Sequence, residues 1–228
     1  MKISIICSVY NASKYLINYL NMANDQLLKE FEIIFVDANS TDNSLDLIES
    51  FKFRNGIEVK ILPQKERVTI YDAWNIAIKE STCHYVMNWN TDDLLFPNAL
   101  LTYQNYIKSF PDVDVFYSPC GIVNKPSYDA YTGISNWPQY SHDTLLQLCI
   151  CGPFPLLRKS AVEACGYFNP KYISSGDYEM WLKLSKNKYT FKKIPDIIGS
   201  FLYRADSTSN QKIKEAQKED LEIQELYR

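Results

Sequence analysis

Short apolar runs alternate with helical periods through the N-terminal part of this chain. Runs at Ile3 to Val9 and Phe31 to Val36, with weaker ones at Ile57 to Leu62 and Tyr85 to Trp89, predict strands that are buried on both faces. Between them, apolar residues recur at helical spacing in the segments 15–23, 45–51 and 70–78. The order βαβαβαβ predicts an α/β fold in which helices cover both faces of a mainly parallel sheet.

The polar residues that follow each predicted strand are the first candidates for a binding site. In open parallel sheets, ligands bind beyond the carboxyl ends of the strands, in the loops that come next. Here those loops are Ser8 to Asn11, Asp37 to Asp42 and Asn90 to Asp93. We therefore expect these three segments to form the site.

The second half of the chain has a less regular pattern, typical of an α+β arrangement. We expect a helix opened by Pro97 and a strand over Val113 to Tyr117, followed by an irregular stretch from Ser118 to Tyr140. Helical patterns at 143–148, 159–165 and 178–186, a strand near 197–203 and a charged helix from about residue 210 follow. No linker composition interrupts the chain, which predicts a single domain.

Charge and hydropathy exclude several classes of protein. The formal net charge is −3 and the pI is near 5.5, so we expect no nucleic-acid partner, because neutralising phosphates needs clustered Lys and Arg. No run approaches the roughly 18 apolar residues that cross a bilayer, and no signal peptide is recognisable at the N-terminus. We expect a cytoplasmic chain without a transmembrane segment, and peripheral membrane contact stays open. The six scattered cysteines are expected to be reduced.

Asp92 and Asp93 are the strongest chemical signal in the sequence. They follow a predicted buried strand, and adjacent carboxylates repel each other unless a cation is present. Mg²⁺ and Mn²⁺ are satisfied by one or two carboxylates plus phosphate oxygens, so the pair indicates a site for a nucleotide diphosphate held by a metal. The alternative is that Asp92 caps the next helix and Asp93 is solvated.

Three other acidic residues are candidates for different roles. Asp37 ends the second strand, where a carboxylate can accept hydrogen bonds from a base or a ribose. Asp42 has the position of an ordinary helix N-cap. Asp177 opens an amphipathic helix, where an N-cap role is the ordinary interpretation.

Several segments follow one another in a recognisable order. They are Ser4 to Asn11, Ile34 to Ser44, Ile70 to Asn75, Asn90 to Asp93, Gly176 to Leu184 and Tyr203 to Ser209. Their order and spacing resemble the motifs of the family 2 glycosyltransferases of GT-A fold, over residues 2 to about 210. The resemblance implies a Rossmann-like sheet flanked by helices and one catalytic domain over 1–228. Within it, 1–95 would bind the nucleotide sugar, 96–209 would form the acceptor side, and 210–228 would form a C-terminal helix.

The resemblance also implies a reaction and a set of site residues. The reaction is an inverting transfer of a sugar from a nucleoside diphosphate, with UDP-sugar favoured, to a hydroxyl of a glycan or a lipid-linked saccharide, assisted by Mn²⁺ or Mg²⁺. The implied residues are Ser8, Tyr10, Asp37, Lys65, Asp72, Asn75 and Asp92 for the nucleotide sugar, with Arg67 as an alternative to Lys65; Asp92, Asp93 and Asp206 for the metal; and Asp177 as the catalytic base.

The sequence departs from the family pattern at four positions. Asn90 replaces the first acid of the Asp-x-Asp motif, Ala38 replaces a second Asp that reads the base, Gly176 replaces a Glu before the catalytic Asp, and Asp206 stands where a His is common. Asp206 has an equally good interpretation as a turn residue. Asn90 and Gly176 keep open the alternative of a catalytically weak or inactive nucleotide-sugar-binding module. A dinucleotide enzyme or methyltransferase is not favoured, because the first strand is not followed by a Gly-rich turn.

Overall fold

The computed structural model describes residues 2–126, 131–204 and 212–228, and its strands within those residues form two sheets. The strands are β1 (Ile3–Val9), β2 (Phe31–Asp37), β3 (Ile57–Pro63), β4 (Tyr85–Asn88), β5 (Leu94–Leu95), β6 (Val115–Tyr117), β7 (Cys120–Val123), β8 (Gly133–Ser135), β9 (Leu156–Arg158), β10 (Phe191–Lys193) and β11 (Gly199–Leu202). The larger sheet has the order β10-β6-β9-β4-β1-β2-β3. Strand β9 runs antiparallel to its two neighbours, and the other neighbouring pairs are parallel.

The helices cover both faces of the larger sheet, as the sequence predicts. In the described part of the chain they are α1 (Ser13–Asn24), α2 (Ser44–Ser50), α3 (Ile70–Glu80), α4 (Ala99–Ser109), α5 (His142–Gln147), α6 (Lys159–Ala164), α7 (Gly176–Lys186) and α8 (Ile213–Tyr227). None of these helices has the length and the apolar composition that a membrane span requires.

Each central strand contributes to two separate apolar cores, because its side chains alternate between the faces of the sheet. Ile5 and Phe35 pack in the core that contains residues of α1, α2 and α4. Ile6 and Ile34 pack in the core that contains residues of α3, α6, α7 and α8. Burial on both faces is why the strand segments read as continuous apolar runs.

The second half differs from the sequence-based expectation in its strands. The stretch 118–140, expected to be irregular, contains β7 and β8, which join β11 and β5 in the smaller sheet, of order β5-β11-β7-β8 within the described residues. Strands β9 and β10 have three residues each, too few for an alternating pattern to be recognised. Pro97 lies two residues before α4 rather than in its first turn, and Asn98 is the N-cap.

Candidate functional site

The loops after β1 and β2 are tied to each other at the carboxyl edge of the larger sheet. The Asn11 side-chain oxygen accepts a hydrogen bond from the Thr41 N–H at 2.8 Å, and the Asn11 N–H donates to Ser40 Oγ at 3.0 Å. Asn11 has a φ of 46°, a left-handed conformation that Asn tolerates better than most residues. These hydrogen bonds hold the two loops together as one surface.

Asp42 also links these loops, and it does not occupy the N-cap position of α2. Its carboxylate accepts the Ser13 N–H at 3.1 Å and the Ser44 N–H at 3.0 Å. The N-cap residue of α2 is Asn43, one position later than the sequence predicts. Asp42 thus joins the start of α1 to the start of α2.

Asp37 lies at the carboxyl end of β2 with 3% of its surface exposed. Its Oδ2 accepts the Ser40 N–H at 3.1 Å, whereas its Oδ1 is buried without a hydrogen-bond partner among the described residues. A buried acceptor without a donor is unfavourable, so a hydrogen bond from a ligand would improve this site. Ser8, partly buried, lies on the adjacent strand β1, in register with Val36.

Tyr10 and two basic residues supply the exposed part of this edge. The Tyr10 ring is 39% exposed, and the Arg67 guanidinium lies 4.2 Å from its centroid. Lys65 and Arg67 are both exposed in the loop between β3 and α3. Because that loop leaves the carboxyl end of β3, it places positive charge beside the loops of Asn11 and Asp37.

Asp92 lies in the loop after β4 and forms an ion pair. Its Oδ2 is 2.6 Å from the Arg204 guanidinium, which also donates to the Tyr15 hydroxyl at 2.7 Å. About a fifth of the Asp92 side chain, 21%, is exposed. Asp92 does not cap α4, which begins at Ala99, and its carboxylate is held by Arg204 at the carboxyl edge.

Asp93 is buried and points toward the smaller sheet. Its Oδ1 accepts the Leu202 N–H of β11 at 3.3 Å, and the Trp89 indole donates to the Asp93 backbone oxygen at 3.0 Å. Burial and the neighbouring Asp92 raise the pKa of Asp93 well above its usual value. One carboxylate oxygen of Asp93 is therefore bonded to β11, and its role as a metal ligand stays a prediction.

Asp72 and Asn75 also make structural contacts. Asp72 forms a capping box with Thr69 at the start of α3, where each residue bonds the other's backbone N–H. Both ends of the Asn75 amide bond the backbone of Phe168, at 2.8 and 2.9 Å. These contacts orient both side chains, and their part in binding the nucleotide sugar stays a prediction. Asn75 fixes the segment before α7 to α3.

Asp177 is the second residue of α7, partly buried, and is not the N-cap, which is Ser175. Its Oδ1 accepts the Tyr178 N–H at 2.9 Å and the Tyr71 hydroxyl at 3.4 Å. Burial raises the pKa of Asp177 to about 6, although these donors act in the opposite direction. A carboxylate with a pKa near neutrality has the properties of a general base.

Gly176 allows Tyr71 to reach Asp177. A Cβ atom at position 176 would lie 2.7 Å from the Tyr71 ring, closer than real Cβ atoms approach. Burial and the Asp177 carboxylate raise the pKa of Tyr71 well above its usual value, so the phenol stays protonated and donates. Position 176, where the family pattern has a Glu, thus lies against the tyrosine that contacts the candidate base.

The carboxyl edge brings Asp37, Asp92 and Asp177 to the same side of the sheet. Asp37 ends β2, and Asp92 follows β4, while β1 lies between these two strands. Asp177 contacts Tyr71 in the first turn of α3, which starts after β3 leaves this edge. The arrangement can hold a polar ligand, supply positive charge from one side and accept a proton from the other.

The chemistry of Asp92 fits a hard divalent cation. Its carboxylate oxygens are ligands that Mg²⁺ and Mn²⁺ prefer, and such ions keep water and phosphate oxygens in their remaining positions. Among residues 2–126, 131–204 and 212–228, no three His, Cys, Asp or Glu side chains form a cluster that could hold a metal. Asp206 lies outside the described residues.

Two residues that contact the candidate acids were not among the predicted site residues. Tyr71 reaches Asp177, and Arg204 pairs with Asp92. Both lie within segments that carry the family resemblance, but nothing in the sequence shows which acid each side chain meets. Their partners are more than a hundred positions away along the chain, at separations of 106 and 112.

Comparison with known proteins identifies the same family as the sequence motifs. Residues 4–166 match the family model described as Glycosyl transferase family 2. A chondroitin synthase of Escherichia coli is 28% identical over 218 residues, which are 96% of this chain and 31% of that protein. A hyaluronan synthase of Pasteurella multocida is 28% identical over 212 residues, which are 92% of this chain and 21% of that protein. The chain therefore spans a third or less of the length of these two relatives.

Solved structures show the fold. The structure of Staphylococcus aureus TarS 1–349 in complex with UDP has a TM-score of 0.78 at 20% identity and covers 100% of this chain and 65% of that chain. The mannosyltransferase PcManGT from Pyrobaculum calidifontis, in complex with GDP-Man and Mn²⁺, has a TM-score of 0.70 at 19% identity and covers 95% of this chain and 61% of that chain. The family match and the architecture agree, and the chain belongs to glycosyl transferase family 2, with the GT-A fold.

Proposed function

We propose that this chain transfers a sugar from a nucleoside diphosphate to a hydroxyl group of a glycan or a lipid-linked saccharide, with inversion at the anomeric carbon. The observation that carries the proposal is Asp177, a partly buried carboxylate with a pKa of about 6, on the side of the sheet where Asp37 and Asp92 lie. An inverting transfer needs one such base, because the acceptor hydroxyl must lose its proton as it attacks.

The donor is assigned to the carboxyl ends of β1, β2 and β4. The buried Asp37 Oδ1 would accept a hydrogen bond from the base or the ribose, with Ser8 and Tyr10 beside it. Lys65, with Arg67 nearby, would face the phosphates, where positive charge stabilises the departing diphosphate. We favour a UDP-sugar, since solved structures of similar fold contain UDP and UDP-GlcNAc, although another contains GDP-Man.

Asp177 would act at the oxygen that faces away from its two donors. Tyr71 and Tyr178 both donate to Oδ1, so we assign the acceptor's proton to Oδ2. The Tyr71 hydroxyl holds the carboxylate in place while the proton is transferred. Partial burial excludes some of the water that would otherwise compete with the acceptor.

A divalent metal, Mn²⁺ or Mg²⁺, would be held by Asp92, with Asp206 as a further candidate. Such an ion would neutralise the charge that develops on the leaving diphosphate. Arg204 pairs with Asp92 and is placed to share this role of charge neutralisation. We assign Asp93, Asp72 and Asn75 to support of the site rather than to ligand contact.

The acceptor is proposed from the relatives' names alone. Two relatives are named for chondroitin and hyaluronan synthesis, which suggests a polysaccharide product. We propose that residues 1–228 work as one catalytic domain.

Donor hydrolysis tests this function directly. The chain is incubated with a panel of UDP-, GDP- and dTDP-sugars, with Mn²⁺ or with EDTA, and released nucleoside diphosphate is measured. We expect hydrolysis of at least one UDP-sugar with Mn²⁺ and its loss with EDTA. Binding without turnover would favour the alternative of an inactive nucleotide-sugar-binding module, and turnover in EDTA would contradict the role given to Asp92.

Turnover is expected to fall as the pH decreases through about 6, because the base must be unprotonated and the pKa of Asp177 is about 6. Tyr71→Phe removes a hydrogen bond to the charged form of Asp177, which should raise the pKa of that carboxyl. The fall of kcat on the acidic side of the pH profile, its acidic limb, should therefore occur at higher pH. The measurement is kcat for both proteins from about pH 5 to about pH 9. An identical limb in the two proteins would show that Tyr71 does not influence the base.

A further inference from the structure

The C-terminal helix α8 packs against α7, the helix that carries the candidate base. The Tyr227 hydroxyl donates to the buried Glu179 carboxylate at 2.8 Å, and the Gln224 amide donates to the Tyr178 hydroxyl at 3.3 Å. Helix α8 lies outside residues 4–166, which match the family model. Part of the support of α7 thus comes from the C-terminal helix, in addition to its contacts with α3 and α5.

Glu219 on α8 makes the most direct contact with the start of α7. Its Oε1 accepts the Ile173 N–H at 2.8 Å, and its Oε2 accepts the Ser174 and Ser175 N–H groups at 2.9 Å each. Hydrogen bonds to a charged acceptor are stronger than those between neutral groups. One carboxylate therefore binds three consecutive amides of the segment that leads into α7.

The start of α7 needs an acceptor from elsewhere in the chain. Ser175 is the N-cap residue, yet its side chain makes no capping hydrogen bond. The first N–H groups of a helix have no partner within it, and negative charge near them is favoured by the helix dipole. Glu219 supplies that charge immediately before the helix, two residues from Asp177.

We propose that Glu219 is a positioning residue for Asp177: by binding the amides of 173–175, it fixes the place where the base meets the acceptor hydroxyl. This inference rests on the proposed function, in which Asp177 is the base. Glu219 acts through the backbone and does not touch the reacting atoms. Its effect on rate can still be large, because a displacement of about 1 Å in a catalytic group can lower turnover by about 100-fold.

The proposal also predicts the direction of a pH effect. The other titratable groups that face Asp177 are Tyr71 on α3, Cys149 and Cys151 after α5, and Asp220 on α8. Glu219→Gln removes the negative charge that accepts the Ser175 N–H, two residues from Asp177 along the chain. Loss of a like charge favours the charged form of Asp177, so the acidic limb of kcat should move to lower pH, opposite to the effect of Tyr71→Phe.

The experiment compares Glu219→Gln with Glu222→Gln in the full chain. Gln keeps the size of the side chain, but its amide nitrogen cannot accept the hydrogen bonds that a carboxylate oxygen accepts. We expect Glu219→Gln to lower kcat by about 10- to 100-fold with an unchanged KM for the donor. The acidic limb of the pH profile of this variant should move to lower pH, and the amides of 173–175 should exchange hydrogen faster than in the wild type. Glu222 lies on the same helix, is exposed and pairs with Lys171, so Glu222→Gln should behave as wild type.

Each outcome decides the proposal. A wild-type kcat and an unmoved limb in Glu219→Gln would overturn it, and so would equal losses in the two variants. If Glu219→Gln does not fold, Glu219→Asp keeps the charge on a stem that is shorter by one carbon. We then expect a lower kcat together with faster hydrogen exchange of the amides of 173–175, and faster exchange with a wild-type kcat would overturn the proposal. A failure of the proposed function is distinguishable, because the wild-type chain would then turn over no donor while the difference in hydrogen exchange persisted.

Discussion

Asp177→Asn is expected to lower turnover by about 100- to 10,000-fold while making the folded chain more stable at neutral pH. The loss of turnover follows from the loss of the base. The gain in stability follows from the pKa of Asp177, which burial raises from 3.8 to about 6 in the folded state. The folded chain therefore binds this proton more tightly than the unfolded chain, and its stability falls as the pH rises between those two values. Asn resembles the neutral form, so the free energy of unfolding should increase by about 1–3 kcal/mol above pH 6.

The measurements are kcat at about pH 7.5 and urea unfolding at about pH 7.5 and about pH 3.5. The gain in stability should be present at the higher pH and absent at the lower one, where the wild-type carboxyl is protonated in both states. Asp143→Asn is the matched control, since Asp143 lies in the first turn of α5 and is exposed. Turnover that survives in Asp177→Asn would remove Asp177 from the mechanism, whatever its effect on stability.

Asp92→Asn is expected to lower kcat/KM on the order of 100-fold and to raise the Mn²⁺ concentration needed for half-maximal turnover. The substitution removes the charged carboxylate that we assign to the metal. Stability should change little, because Asp92 and Arg204 are both partly exposed, and such ion pairs contribute about 1 kcal/mol or less. The measurement is an Mn²⁺ titration of donor turnover for wild type and variant.

Asp93→Asn is the informative comparison for that titration. The two acids are adjacent, yet Asp93 is buried against Leu202 and has a raised pKa, so a neutral amide should replace it without altering the Mn²⁺ requirement. A shift of the Mn²⁺ midpoint in Asp93→Asn with none in Asp92→Asn would reverse the assignment of the two residues.

The central strands β1, β2 and β4 were predictable because they are buried on both faces. Strands β1 and β2 have seven residues each, and their apolar runs leave little room for another interpretation. Strand β9 was not predictable, because three residues cannot show a period, and its antiparallel insertion between β4 and β6 depends on pairing with distant segments. The smaller sheet depends on similar long-range pairing.

The location of a site residue was predictable where that residue directly follows a strand, because the topology determines the edge at which the strand ends. Asp37 and Asp92 follow β2 and β4, so the topology alone brings them to one edge. The direction of a side chain was not predictable, because it depends on partners far along the chain. Asp93 turns to Leu202, and Asn75 turns to Phe168.

A crystal structure of the chain with UDP and Mn²⁺ tests the central claim most directly. We expect the base or ribose to donate to Asp37 Oδ1, the metal and the diphosphate to lie beside Asp92, and Asp177 to line the same cavity on the side where an acceptor would enter. A nucleotide bound elsewhere, or electron density that places Asp37, Asp92 and Asp177 around different cavities, would contradict the claim.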